Sequence, residues 1–296
     1  MSRLNLVPPA ALRFAARAKI NLYLHVTGRR EDGYHLLDSL VCFADLGDEL
    51  AVEAAPELRL SLEGPFGTAL AGSDNLVLAA ARLLDPARGA ALRLVKQLPV
   101  ASGMGGGSSD AAAALTGLSR LWQCPMPETE RLLALGTDLP VCLAPGPSFV
   151  GGIGEQLEPA PPLPRFYLLL ANPRRPLPTA EVFRRFTGPF SRPARWRDSP
   201  ADAAQLAGLL GERGNDLTEP AKSMLPEIGD LLDAIADSPG CLIARMSGSG
   251  ASCFGLFAAA DEAAKAAAAI QVTQPHWWVR ATAIATGGAV AELASG

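Results

Sequence analysis

The stretch that decides the fold is Pro99-Val100-Ala101-Ser102-Gly103-Met104-Gly105-Gly106-Gly107-Ser108-Ser109-Asp110, set between a strand pattern and an alanine-rich helix pattern. Four of the five residues from 103 to 107 are glycine. Glycine lacks a Cβ and tolerates positive φ, so such a run wraps closely around another group. The helix that follows, to about Trp122, leaves its first backbone N–H groups without intrahelical partners. Those donors and the positive end of the helix dipole suit an anion, phosphate above all. Ser108 and Ser109 add hydroxyls. A tight turn with Ser or Asp capping the helix is the simpler alternative, but it needs only one or two glycines. The loop is not Gly-x-x-x-x-Gly-Lys-[Ser/Thr], nor Gly-x-Gly-x-x-Gly, because Ser108 stands where the third glycine would be.

Working outward, residues 13–26 end in strict alternation. Ile20, Leu22, Leu24 and Val26 share one side; Lys19, Asn21, Tyr23 and His25 share the other. This predicts a strand with one buried face, and sets Lys19 and Asn21 on one side, roughly 6–7 Å apart. Residues 28–35 read as a loop with a turn at Asp32-Gly33. Strands are expected at 49–54 and 58–62 and around Leu92 and Leu94, with a helix capped by Asp74 running to Leu84. A further helix spans 128–135. The glycines at 151–154 and the prolines from 159 to 164 suggest a domain boundary.

The second half reads as a strand at 166–171, helices within 179–186, 201–210 and 217–236, and strands at 241–246 and 252–257. A helix at 261–270 and a strand at 277–285 complete it. Collapsed, this is β-α-β-β-α-β, the ferredoxin-like arrangement. Residues 190–200 read as a surface loop.

Composition narrows the function. Of 296 residues, 49% are hydrophobic and 19% charged, enough to build about two cores. With 26 basic and 30 acidic residues the net charge is −4, which excludes a broad nucleic-acid-binding surface but not a small anion held by local donors. Cys42, Cys124, Cys142, Cys241 and Cys253 form no Cys-x-x-Cys pair and read as reduced thiols. His25, His35 and His276 lack metal-ligand spacing, so no metal ligand is assigned. Residues 1–13 do not read as a secretory signal, and no stretch approaches the roughly 20 apolar residues of a membrane span. The expectation is a cytoplasmic protein, a monomer or weak homodimer, with no membrane and no nucleic-acid partner.

Two other segments suggest chemistry. Gly136-Thr137-Asp138-Leu139-Pro140 offers a carboxylate that would accept a proton from an attacking hydroxyl, or simply a cap or turn residue. Arg245-Met246-Ser247-Gly248-Ser249-Gly250-Ala251-Ser252 is either an ordinary hairpin or a close backbone approach to a ligand or to the first glycine loop. Lys19 is suited to neutralise a phosphate or pair with Asp138; an exposed strand lysine is the alternative.

Taken together these segments resemble the GHMP kinase superfamily. The resemblance rests on Ala18-Lys19-Ile20-Asn21-Leu22-Tyr23-Leu24, Gly28 through Asp32-Gly33-Tyr34-His35, the glycine loop, the Asp138 segment, Asn215-Asp216-Leu217 and Met246 through Ala251. It spans nearly the whole chain. It implies an α+β, two-domain GHMP kinase fold: an N-terminal ATP-binding domain at 1–158, a C-terminal ferredoxin-like domain at 159–296, and the active site in the cleft between them. The Lys-x-Asn strand followed by Asp-Gly-Tyr-His is similar to the branch whose acceptor carries cytidine diphosphate. That implies transfer of the γ-phosphoryl of ATP, with Mg²⁺, to the 2-hydroxyl of a methylerythritol unit in isoprenoid-precursor synthesis. A small-alcohol kinase of the mevalonate or homoserine class is the alternative.

By the same resemblance Asp138 matches the catalytic base and Lys19 the lysine beside it. Asn21 matches a substrate-phosphate contact, Tyr34 and His35 the cytidine site, and Phe183 its second aromatic wall. Lys96, Pro99, Ser102, Gly103, Met104, Gly105, Gly106, Gly107, Ser108 and Ser109 match the nucleotide side. Thr137 and Leu139 depart from the small residue and valine usual beside the base.

Overall fold

The computed structural model describes residues 11–70 and 75–294. Expectations for residues 1–10 and for Asp74 lie outside them. β1 (Leu12–Arg29) and β2 (His35–Ala54) form the longest ladder, joined at the expected turn. There Gly33 has φ +92° and Asp32 Oδ1 accepts the Tyr34 N–H at 3.2 Å. β3 (Arg59–Glu63), a 3₁₀ turn at Gly67–Leu70, α1 (Leu76–Leu84) and β4 (Ala90–Val95) follow. Asn75 caps α1, its side chain accepting the Val77 N–H. Then come α2 (Gly106–Trp122), α3 (Thr129–Leu135), α4 (Leu139–Leu143), β5 (Ser148–Gly152) and β6 (Gln156–Pro159).

The second half runs β7 (Tyr167–Asn172), α5 (Thr179–Arg185), α6 (Ala203–Gly211), α7 (Thr218–Met224), α8 (Glu227–Ala236), β8 (Ile243–Met246), β9 (Cys253–Phe257), α9 (Ala260–Thr273), β10 (Trp278–Ala283) and β11 (Val290–Glu292). Its four-stranded sheet has the order β10-β7-β9-β8 with every pair antiparallel, the ferredoxin-like arrangement expected. The other sheet has seven strands, in the order β11-β1-β2-β4-β3, with β5 on β2 and β6 on β5. β11 thus returns from the end of the chain to pair with β1 at Phe14–Ala16.

Three cores explain the burial. Phe14, Leu50, Val52, Leu92 and Leu94 pack under the alanines of α2. One face of the four-stranded sheet, with Leu169, Ala171 and Phe257, packs on α7, α8 and α9. Its other face, with Leu168, Leu170, Phe254 and Leu256, meets Ile20, Leu22, Tyr23, Leu40 and Cys42 of β1 and β2. The middle of β1 is therefore buried on both faces, not one.

The alternation read along β1 breaks at Leu22. Asn21 pairs with Val41 and Tyr23 with Leu40, so Leu22 is an extra residue, a β-bulge. A one-residue insertion inverts the side-chain faces beyond it. Tyr23 consequently joins Ile20 and Leu22 in the inter-sheet core, while Leu24 takes the side of Lys19 and Asn21. Arg245 Nη1 donates to the Leu22 carbonyl at 2.8 Å and satisfies the acceptor that the bulge presents.

Other expectations are corrected. The loop expected at 28–35 is shorter, since β1 runs to Arg29 and β2 starts at His35, and residues 36–43, which carried no assignment, are strand. Gly151–Gly154 lies in the β5–β6 hairpin, not at a linker. The helix expected at 217–236 is split between Met224 and Glu227, because Pro226 lacks an N–H and restricts Leu225. Among the described residues no helix is long and apolar enough to cross a membrane, and all five cysteines are free.

The approach of α2 to its sheet is set by Gly117, where a Cβ would stand 2.8 Å from both Phe14 Cε2 and Val52 Cγ2. Gly117→Val should destabilise the fold by about 1–3 kcal/mol through overpacking. A urea midpoint unchanged from the parent would contradict that packing.

Candidate active site

One cavity of 970 Å³ runs between the two sheets. It is lined by Lys19, Asn21, Tyr34, His35, Lys96, Pro99, Ser102, Gly103, Gly105, Gly106, Gly107, Ser108, Asp138 and Phe183. Residues far apart in sequence meet there, Lys19 with Asp138 and His35 with Phe183. Met104 and Ser109 do not line it. The Met104 side chain is buried in the inter-sheet core, and only its carbonyl acts nearby, accepting the Lys19 N–H at 2.8 Å. Ser109 turns inward, its Oγ 3.5 Å from Cys142 Sγ. Ser109 lies on the inward face of α2, and Met104, just before the helix, is held in the inter-sheet core.

The glycine loop has the form the sequence suggests. Gly103 and Gly105 take φ of +76° and +61°. Gly105 is the N-cap of α2 with no side-chain cap, so the alternative of a serine or aspartate cap does not hold. Among the described residues no acceptor meets the N–H groups of Gly106, Gly107 and Ser108. These unpaired donors face a cavity that suits an anion. A Cβ at Gly103 would stand 2.6 Å from the Gly250 carbonyl oxygen and 2.7 Å from that of Ser247. The second glycine turn is thus packed on the first, and the ordinary-hairpin reading fails.

Lys19 Nζ donates to Asp138 Oδ1 at 2.6 Å. The lysine is buried and the aspartate half-exposed to the cavity. Asp138 stands at the start of α4, and the turn at Gly154 holds that segment: a Cβ on Gly154 would lie 2.4 Å from the Thr137 carbonyl oxygen.

Asn21 is held on two sides. Its N–H donates to Ser247 Oγ at 3.1 Å and its Nδ2 to Ser39 Oγ at 2.8 Å. Ser39 gives its own hydrogen to the Tyr23 carbonyl, which orients the Asn21 amide. Oδ1 is left buried and without a donor among the described residues, in the cavity wall. This atom is an acceptor, so it matches a hydroxyl donor better than the phosphate expected for Asn21. Asn215, quoted in the motif but given no role, donates from Nδ2 to the Met246 and Gly248 carbonyls, both at 2.8 Å, and so braces the second glycine turn.

At the far end of the cavity His35 stacks on Phe183, with centroids 5.3 Å apart and planes 27° apart. Phe186, which the sequence did not single out, meets His35 edge-on. Tyr34 is 55% exposed, a free ring beside that stack. Burial, with the nearby Arg29 charge, lowers the His35 pKa, so its ring is neutral at physiological pH and offers one donor and one acceptor.

Lys96 lines the cavity but is not a free charge. It is 2% exposed, and its Nζ donates to Asp48 Oδ2 at 2.5 Å and to Asp110 Oδ2 at 2.7 Å. Neither aspartate was legible as its partner. No group of three or more candidate metal ligands occurs among the described residues.

Comparisons with known proteins agree with this architecture. Residues 75–148 match the GHMP kinases N terminal domain and residues 197–273 the GHMP kinases C terminal domain. A Paramagnetospirillum magneticum protein, 4-diphosphocytidyl-2-C-methyl-D-erythritol kinase, is 53% identical over 271 residues, 89% of this chain and 95% of that one. A protein of the same name from Ruegeria pomeroyi is 50% identical, covering 90% and 97%. A crystal structure of 4-(cytidine 5'-diphospho)-2C-methyl-D-erythritol kinase superposes with a TM-score of 0.71 at 32% identity, covering 93% and 99%. Homoserine kinase from Cytophaga hutchinsonii shares the fold, with a TM-score of 0.70 at 16% identity, covering 99% and 100%.

The His35 environment has a direct consequence. An NMR pH titration should give a His35 midpoint below the ordinary histidine value of about 6.5. A midpoint above it would mean that the ring is charged and the stack is not as described.

Proposed function

The chain belongs to the 4-diphosphocytidyl-2-C-methyl-D-erythritol kinase family, and from that premise we propose how its residues phosphorylate the 2-hydroxyl of that cytidine-diphosphate-bearing alcohol. The reaction is an ATP-dependent phosphoryl transfer to an alcohol, a step in making isoprenoid precursors. The observation that carries the residue assignment is the 2.6 Å Lys19–Asp138 pair, standing in one cavity between the free N–H groups of α2 and the His35–Phe183 stack.

Bound ATP supplies the transferable phosphoryl group, and Mg²⁺ neutralises its terminal phosphates. Among the described residues no group of three or more candidate metal ligands occurs, and the roles assigned here belong to the chain's own donors and acceptors. Gly105, Gly106, Gly107 and Ser108 fit the phosphates, because their N–H groups lack partners and a Cβ at 105 or 106 would crowd Lys19 or Lys96 at 3.0 Å. Pro99, Ser102 and Gly103 shape the loop; Met104 and Ser109 support it from within. The first lobe corresponds to 1–158 and the second to 159–296, with β11 returned to the first.

Asp138 orients the acceptor hydroxyl and accepts its proton; its half-exposed carboxylate is open to the cavity. Lys19 holds that carboxylate in place, and its positive charge sits beside the oxygens whose negative charge is shared during transfer. Asn21 Oδ1 accepts from a substrate hydroxyl. Tyr34 and Phe183 sandwich the cytosine ring while neutral His35 bonds its edge. The aromatic end favours this substrate over mevalonate or homoserine, neither of which carries a flat ring to stack. Phosphoryl transfer of this kind is mostly positioning and electrostatics, which fits a site made of backbone donors and one ion pair.

Asp138→Asn keeps the shape of the side chain and removes its basicity. Its kcat should fall by about 10²–10⁴, with calorimetric affinities for both substrates near those of the parent. A variant with parental turnover would remove Asp138 from the reaction.

A further inference from the structure

Beneath the glycine loop lies a charge cluster to which phosphoryl transfer gives no task. Lys96 Nζ stands between Asp48 Oδ2 and Asp110 Oδ2, and all three side chains are almost wholly buried. The two aspartates are not equally satisfied. Asp48 Oδ1 also accepts the Gln97 and Leu98 N–H groups, at 2.6 and 2.9 Å. Asp110 Oδ1 has no donor among the described residues. One ammonium therefore faces two carboxylates, a net charge of −1 when all are ionised. A buried charge without a full complement of partners is costly, and the usual response is to bind a proton.

The cluster lies directly against the loop. A Cβ at Gly106 would stand 3.0 Å from Lys96 Nζ and 3.7 Å from Asp48 Oδ2. Asp110 itself lies on the first turns of α2, whose free N–H groups face the cavity, and both Lys96 and Asp110 form part of the cavity wall. Phosphate held by those donors would bring further negative charge close to the cluster, where little water screens it.

We propose that Asp110 takes up a proton from solvent as nucleotide phosphates bind the glycine loop, so that the Asp48–Lys96–Asp110 cluster passes from a net charge of −1 to neutral. The inference rests on the ATP-dependent reading above. No bond of the nucleotide changes; the only bond formed is O–H on the Asp110 carboxyl, which then has a donor to offer Asp48. Burial pushes the free Asp110 carboxyl up to about 7, with Lys96 opposing and the Asp48 charge adding to the rise. The group is therefore poised to titrate near neutral pH. Burial alone would lower the Lys96 pKa, but the two carboxylates outweigh it and keep the ammonium charged.

The other titratable groups around α2's first turns do not compete. Lys19 on β1 and Asp138 at the start of α4 compensate each other. Cys142 on α4 stays neutral, its thiol pushed up to about 12 by burial. Linkage is reciprocal: if bound phosphate favours the proton, the proton favours bound phosphate. Nucleotide affinity must then fall as pH rises above about 7, until it passes the raised pKa of the bound state.

The test is calorimetric titration of the full chain with Mg²⁺ and a non-hydrolysable ATP analogue, in two buffers of different ionisation enthalpy. At about pH 8 the parent should take up roughly 0.5–1 proton per site, and its affinity should fall about 5- to 50-fold between about pH 7 and pH 9. Asp110→Asn should show neither effect. Asp48→Asn neutralises the same cluster by another route and should also lose the uptake, which covers the case in which one variant fails to fold. Parental binding without proton uptake, or uptake that persists in both variants, would overturn the proposal. Absence of any nucleotide binding by the parent would instead overturn the kinase reading.

Discussion

At Gly103 a single methyl group would collide with two backbone oxygens from the far end of the chain, those of Ser247 and Gly250. That close approach is the constraint on which the site depends. It presses the turn between β8 and β9 against the loop between β4 and α2. Hydrogen bonds then fix the seam: Ser252 N–H to the Ser102 carbonyl at 3.0 Å, and Ser247 Oγ to the Gly103 carbonyl at 3.3 Å. β1 is tied into the same seam, its Lys19 N–H donating to the Met104 carbonyl and its Asn21 N–H to Ser247 Oγ. Lys19 and Asn21 of β1 are thereby registered against the glycine loop.

The same seam explains how a chain with a net charge of −4 holds phosphate. The site depends on no excess of lysine and arginine. What it offers is backbone donors freed by glycine, the dipole of a 17-residue helix, and a small number of charges set close together. Those charges are compensated locally: Lys19 by Asp138, and Lys96 by two aspartates. Low charge and high order are compatible here because the donors are part of the backbone and do not have to be gathered from mobile side chains.

Much of this was legible from the residues alone. The four glycines between strand and helix announced a tight loop with uncapped helix donors, and the order of elements in the second half announced the ferredoxin-like sheet. What was not legible depends on long-range packing. Period-two alternation on β1 gave no sign of the bulge at Leu22, whose freed carbonyl is met by Arg245, 223 residues away. Residues 35–43 were missed as strand because both faces are covered, so polar Asp38 and Ser39 sit inside among partners such as Tyr23, Arg195 and Asn21. Asp48 stands just before the strand read at 49–54 and belongs to no motif, and only the fold brings it to Lys96. Met104 and Ser109 were grouped with the loop around them, whereas the Met104 side chain turns into the inter-sheet core and Ser109 lies on the inward face of α2.

The central claim is that one cavity joins a phosphate loop, a Lys19–Asp138 pair and an aromatic clamp shaped for cytidine. It is tested most directly by ADP release from ATP with three acceptors: the cytidine-diphosphate-linked methylerythritol, mevalonate and homoserine. The account predicts rapid ADP release with the cytidine-linked acceptor and background rates with the other two. Equal or faster release with either small alcohol would contradict it.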